Sequence, residues 1–112
     1  MLLFKPRHVA PIISGRKIET RRLWRSWRAN VGSIQKAKTV MLSKDYFALL
    51  EILERWEERL GDISDQSIYN EGYDSRDEYF ASLAEINARV LKKITIPLED
   101  LLVKVLKFRR VI

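Results

Sequence analysis

A chain of 112 residues can bury one hydrophobic core and little more, so residues 1–112 are expected to form a single domain. With 46% hydrophobic and 32% charged residues it is not a disordered chain, and no apolar run approaches the about 20 residues needed to cross a bilayer, so no membrane partner and a cytoplasmic location are expected. The lack of cysteine excludes disulfides and thiolate metal sites, a lone His8 cannot build a histidine metal site, and neither a metal nor a cofactor is expected.

The net charge of +6 is unevenly spread. Residues 1–44 hold eleven Lys and Arg against one acid, Glu19, whereas residues 45–88 hold twelve acids against three bases. A basic first half points to a surface that attracts a polyanion, most often RNA or another nucleic acid.

Along the chain, Leu2-Leu3-Phe4 is a short apolar run closed by Pro6, which suits an edge or terminal strand. Val9, Ile12 and Ile13 fall at helical spacing, Pro11 fits a first turn and Gly15 a C-terminal stop, so His8 to Ser14 is expected to be a short helix. Propensity does not choose between strand and loop for the basic stretch Lys17 to Trp24. Asn30-Val31-Gly32-Ser33 is a turn signal, and Ile34 to Leu42 reads as a half-exposed strand.

From Tyr46 to Leu60, Leu49, Ile52, Leu53, Trp56 and Leu60 trace a helical stripe. A period-two reading puts Leu50, Ile52 and Trp56 on one side, with Glu54 interrupting that face. Ser64-Asp65-Gln66 opens a helix with Gly72 just past its end, and Asp74-Ser75 opens another carrying Tyr79, Phe80, Leu83 and Ile86. Residues 88–100 read as a connection containing Pro97, and Leu101 to Ile112, with Val103 and Val105 set against Lys104 and Lys107, as a closing strand.

Two stretches carry chemistry. A lysine, a threonine and a carboxylate make an acyl-transfer site when burial or a second cation lowers the lysine pKa enough for it to accept the hydroxyl proton. Lys17 and Thr20 have a spacing that allows this, with Glu19 as the local and Glu71 as the distant carboxylate. In Arg21-Arg22-Leu23-Trp24-Arg25-Ser26-Trp27-Arg28, four arginines bracket two tryptophans. Single-strand binders combine cations for the backbone with flat rings for the bases, stacking being worth about 1–3 kcal/mol per base. Arg16, Arg21, Arg22, Trp24, Arg25, Trp27 and Arg28 are therefore candidate RNA contacts, and Lys36, Lys38 and Lys44 extend the positive surface. One of the two tryptophans, Trp24, is expected to pack inward and leave Trp27 exposed. Tyr79, Phe80 and Leu83 read as core and Trp56 as packing. His8 stands at a helix start, where the dipole disfavours its protonated form, and is given no catalytic role.

The order of these features resembles one family. An apolar start, a short helix and then Gly15, Lys17, Thr20 and Arg22 are similar to the G-x-K-x-x-T-x-R pattern of ASCH domains. Gly32 with the basic strand, Arg59-Leu60-Gly61-Asp62-Ile63, and Asn70-Glu71-Gly72-Tyr73 before a helix continue the likeness over residues 1–87, including a likeness to small archaeal members. The resemblance implies an α+β fold, a PUA-like β-barrel with short helices packed at its openings, and residues 46–60 mostly strand. Some bacterial ASCH proteins are amidohydrolases acting on cytidine acetylated at its exocyclic amine. By that resemblance Lys17 matches the activating lysine, Thr20 the nucleophile and Glu71 the general acid/base. The expected function is an RNA- or nucleotide-binding ASCH domain with a Lys/Thr/Glu pocket. The alternatives are an amidohydrolase of N(4)-acetylcytidine-type modified nucleosides and a ribonuclease.

Overall fold

The computed structural model describes residues 1–112. Leu2–Leu3 forms β1, a 3-10 turn at Pro6–His8 leads into α1 (Val9–Ser14), and Glu19–Arg22 forms β2. Next come β3 (Ile34–Lys38), β4 (Ala48–Arg59), α2 (Asp65–Asn70), α3 (Arg76–Ile86), the short α4 (Ala88–Leu91) and β5 (Leu102–Arg110). Gly15 ends α1 in the left-handed region at φ 84°, which a residue without Cβ adopts freely. Ser64 and Ser75 cap α2 and α3 by accepting from the Ser67 and Glu78 amides, each cap being worth about 1 kcal/mol.

The five strands make one mixed sheet in the order β1-β3-β4-β5-β2, with β1 and β3 parallel and the other pairs antiparallel. It curves into a half-barrel. The expected closure of the sheet is not complete, because β1 and β2 each have a partner on one side only.

The helical stripe between Tyr46 and Leu60 does not become a helix. Ala48, Leu50 and Ile52 alternate into the core, and pairing with β3 and β5 supplies the backbone partners that a helix would otherwise provide. A bulge then shifts the register from Ile52 opposite Phe108 to Glu54 opposite Lys107, leaving Leu53 unpaired and exposed. This one extra residue breaks the period-two face at Glu54 and creates the helix-like spacing.

β5 is buried on both sides. Leu106 and Phe108 join Leu2, Phe4, Ile12, Leu50 and Ile52 in one core, whereas Val103 and Val105 join Leu60, Ile63, Ile68, Tyr79 and Leu83 beneath the helices. The strand expected over Ile34 to Leu42 stops at Lys38, and Val40, Met41 and Leu42 are exposed. The connection over residues 88–100 contains α4 and a 3-10 turn at Leu98–Asp100. No helix is long and apolar enough to cross a membrane.

Candidate functional site

β2 is the strand that organises the site. Successive side chains of a strand point to opposite faces. Thr20 and Arg22 stand opposite Leu106 and Lys104 and share their face, while Glu19 and Arg21 stand opposite Lys107 and Val105 and share the helix-facing side. The two faces hold different chemistry.

On the helix-facing side lies a buried ion network. Lys17 is 2% exposed, and its Nζ donates to the Glu19 carbonyl at 3.0 Å, the Glu71 carbonyl at 2.8 Å and Glu71 Oε1 at 2.8 Å. Arg21 donates through Nη1 to Glu19 Oε1 and Glu71 Oε2, both at 3.0 Å, and through Nε to Glu58 Oε1 at 2.7 Å. Its Nη2 lies 2.7 Å from that same Glu58 oxygen but off the line of a hydrogen bond. Asn70 Nδ2 donates to Glu19 Oε2 at 2.6 Å. Gly72, at φ 100°, keeps the backbone close to Lys17, whose Cβ a side chain there would meet at 3.7 Å.

On the opposite face, Arg22 Nε donates to Thr20 Oγ1 at 3.0 Å, and the guanidinium carbon lies 4.9 Å above the Phe4 ring. Arg22 has no carboxylate partner, unlike Lys17 and Arg21. Burial lowers its pKa to about 10, with nearby Arg28 acting the same way and Glu71 opposing both. Burial also lowers the Lys17 pKa, helped by Arg22 and Arg21 and opposed by Glu71.

Both groups line one cavity of about 310 Å³. It sits at the seam between the two unpaired sheet edges, with Leu3, Phe4 and Lys5 on the β1 side, Thr20, Arg21 and Arg22 on the β2 side, and α3 covering it through Tyr79, Ser82 and Leu83. Lys17, Thr20 and Glu71 thus come together although Glu71 is 54 positions from Lys17. Thr20 is bonded to Arg22 and Lys17 to Glu71, so the nucleophile–activator hydrogen bond expected of an acyl-transfer pair is not formed. The reason is the alternation of β2, which sends Thr20 to the face away from the network.

Among the candidate RNA contacts, Arg21 is buried by carboxylates and is not a surface cation. Trp27 is not the exposed ring that was expected. Both Trp24 and Trp27 are half-buried against the sheet core, and Trp27 lies under Arg55 at 4.6 Å and Lys104 at 5.4 Å. Arg28 and Arg22 both approach the Trp24 ring, at 5.6 Å and 5.9 Å, which joins the cavity to the surface. Arg25 and Lys36 are exposed, Lys38 donates to the Ser43 carbonyl, and Arg16 pairs with Asp74 over the Tyr69 ring.

Sequence reasoning missed the far wall. His8 Nε2 contacts the Tyr73 hydroxyl at 2.8 Å, Tyr73 contacts Ser82, and Arg7 donates to Ser82 at 3.0 Å. Burial, then the charges of Lys17, Arg7 and Arg22, lowers the His8 pKa to about 3, so desolvation rather than the helix dipole keeps it neutral. Tyr79 is core as expected, yet it also lines the cavity, and its buried hydroxyl has no partner. Burial and the neighbouring Glu71 raise its pKa, with Arg21 opposing. A helix-periodic tyrosine carries no sequence signal for this.

No protein-family model matches the sequence, and no curated protein matches it. The structure is similar to an ASCH domain from Lactobacillus crispatus JV V101, with a TM-score of 0.74 at 17% identity over 91% of this chain and 69% of that one. It is also similar to a protein of the DUF984 family from Enterococcus faecalis V583, with a TM-score of 0.71 at 15% identity over 94% of this chain and 67% of that one. These two support the expected fold and not the archaeal part of the likeness. The five-stranded half-barrel with its short helices is thus an α+β fold, the one shared with the ASCH domain structure.

Proposed function

We propose that this domain binds RNA or a nucleotide, taking one nucleotide unit into the cavity that holds Lys17, Thr20 and Glu71. The observation that carries the reading is how the cations of the cavity are partnered. Lys17 and Arg21 are taken up by direct contacts with Glu71, Glu19 and Glu58, whereas the Arg22 guanidinium lines the cavity with no carboxylate in contact and only its Nε engaged, by Thr20. A largely buried guanidinium with no carboxylate in contact favours an anionic ligand, because its terminal N–H groups are left to make the charge-assisted hydrogen bonds that the protein does not supply. A cavity of about 310 Å³ is at the small end of ligand sites and suits a single base with its sugar. Trp24, Arg25, Arg28, Lys36 and Lys38 would hold flanking nucleotides by stacking and charge.

The test is titration with single-stranded RNA oligomers and nucleoside 5′-monophosphates at several salt concentrations. Binding that weakens as salt rises, and falls about tenfold or more in Arg22→Gln, supports the reading. Absence of binding to RNA and nucleotides at low salt overturns it.

A second reading, an amidohydrolase acting on an N(4)-acetylcytidine-type nucleoside, is favoured by Lys17, Thr20 and Glu71 sharing the cavity. Thr20 would attack the acetyl carbonyl as Lys17 takes its proton, Glu71 would pass to the leaving amine the proton it has received from Lys17, and water would then hydrolyse the acetyl–Thr20 ester, releasing acetate and restoring the hydroxyl. This requires a deprotonated Lys17, toward which burial pushes it, and a Thr20 hydroxyl released from Arg22. Acetate release from the nucleoside that is lost in Lys17→Ala, Thr20→Ala and Glu71→Ala alike supports it. Equal activity in Thr20→Ala removes the nucleophile. Ribonuclease action would rest on Lys17, Arg22 and Glu71, and cleavage retained in variants of all three would mark a contaminant.

A further inference from the structure

The side chains of β2 are largely spoken for, but its main chain is not. Phe108 N donates to the Ile18 carbonyl at 2.9 Å, so Ile18 is bonded to β5. Antiparallel pairs alternate between bonded and non-bonded residues. Thr20 opposite Leu106 and Arg22 opposite Lys104 are therefore the bonded pairs, and the amides and carbonyls of Glu19 and Arg21 point away from β5 to the open edge. The Glu19 carbonyl meets Lys17 Nζ there, as this geometry requires. The Arg21 N–H and C=O have no partner in the protein.

Arg21 nevertheless lines the cavity. Its side chain is 1% exposed while the residue as a whole is 6% exposed, so the part it shows to the cavity is main chain. Across the seam the same holds for β1. Phe4 N donates to the Lys38 carbonyl, and in a parallel pair alternate residues bond to the neighbour, so Leu3 also turns its N–H and C=O away from β3. Polar main-chain groups at the edge of a largely buried site cost free energy unless a ligand or water satisfies them.

We infer that the free main-chain N–H and C=O of Arg21 read the Watson–Crick edge of one unpaired nucleobase, whose donor and acceptor stand side by side. This deepens the nucleotide-binding reading and rests on it. A strand edge offers one donor and one acceptor from the same residue, held by the sheet and by the buried Arg21 side chain. Each common base presents the complement on its pairing edge, for instance a ring N–H beside a carbonyl in uracil and guanine, or an exocyclic amine beside a ring nitrogen in cytosine. Recognition of this kind is possible only for a base that is not paired, which makes the domain a reader of single-stranded or extruded nucleotides. The buried ion network thereby has a structural purpose: it fixes the strand edge that does the reading.

The test compares uridine, cytidine and guanosine 5′-monophosphates with the counterparts methylated on the pairing edge (N3-methyl, N4,N4-dimethyl and N1-methyl, respectively). Affinities come from calorimetry on the full chain, and the Arg21 amide is followed by NMR. For the tightest of the three parents, edge methylation is expected to weaken binding about tenfold or more, and the Arg21 amide proton to move downfield with the parent alone. If a parent nucleotide binds and its methylated form binds equally, with the Arg21 amide unmoved, the nucleotide reading stands and edge recognition is overturned. If no nucleotide and no single-stranded RNA binds, both fall together.

Discussion

The Lys17 ammonium grips Glu71 twice, donating to its main-chain carbonyl and to Oε1, both at 2.8 Å. This double contact pins the end of α2 to the start of β2 and sets one wall of the cavity. Glu71 is the hub of the network, because Arg21 takes its other carboxylate oxygen.

That asymmetry predicts unequal costs. Removing one partner of a buried ion pair typically costs about 3–5 kcal/mol, because an uncompensated charge is left inside. Glu71→Leu leaves buried Lys17 without a carboxylate and takes one of three from Arg21, which keeps Glu19 and Glu58, and is expected at this level. Lys17→Met leaves Glu71 still paired with Arg21 and should cost clearly less. Urea denaturation of both variants checks this, and equal costs would show that Glu71 does not join the two cations energetically.

Tyr79→Phe is expected to separate stability from binding. The Tyr79 hydroxyl is buried without a partner, and leaving such a group unsatisfied costs about 1–3 kcal/mol. Phenylalanine keeps the edge contacts to Tyr73 and Phe80. The variant should be as stable as the parent or more so, by about 1 kcal/mol, while nucleotide affinity falls. Loss of stability would show that the hydroxyl has a partner in solution.

His8 should give the fold an acid dependence. Its pKa falls from 6.5 in the unfolded chain to about 3 in the folded one, so between those values the unfolded state binds more protons. Stability from this group is complete above pH 6.5 and is lost as pH falls toward 3. Between pH 6.5 and 5 the loss should be about 1 kcal/mol, less than the roughly 2 kcal/mol that an undiminished shift would give over that interval, since His8 is only partly shielded from water. His8→Gln should flatten this part of the stability–pH curve. An unchanged slope would remove His8 as its source.

Trp27→Ala is expected to act on the fold before it acts on any ligand. The ring packs on the sheet core and under Arg55 and Lys104, so its loss should lower stability by about 2 kcal/mol, below the 3–5 of a fully buried aromatic. Trp27→Phe should recover most of this. An unchanged melting temperature in Trp27→Ala would return Trp27 to the surface role first expected of it.

The sequence by itself determined what depends on neighbours along the chain. The left-handed stop at Gly15, the serine caps of α2 and α3 and the short α1 are all set within a few residues, and they were legible there. The G-x-K-x-x-T-x-R spacing also carried the fold, through its resemblance rather than through any local preference. Only the tertiary structure decided the rest. The strand over Ala48–Arg59 exists because β3 and β5 flank it, and the bulge at Leu53 disguised its period as helical. Thr20 and Lys17, three positions apart, look like a pair in one dimension. The pleat of β2 turns Thr20 to the other face, and Lys17 finds its partner 54 residues away. The free edge of Arg21 follows from strand order, which no stretch of sequence records, because a main-chain donor looks the same in every residue until its neighbours are in place.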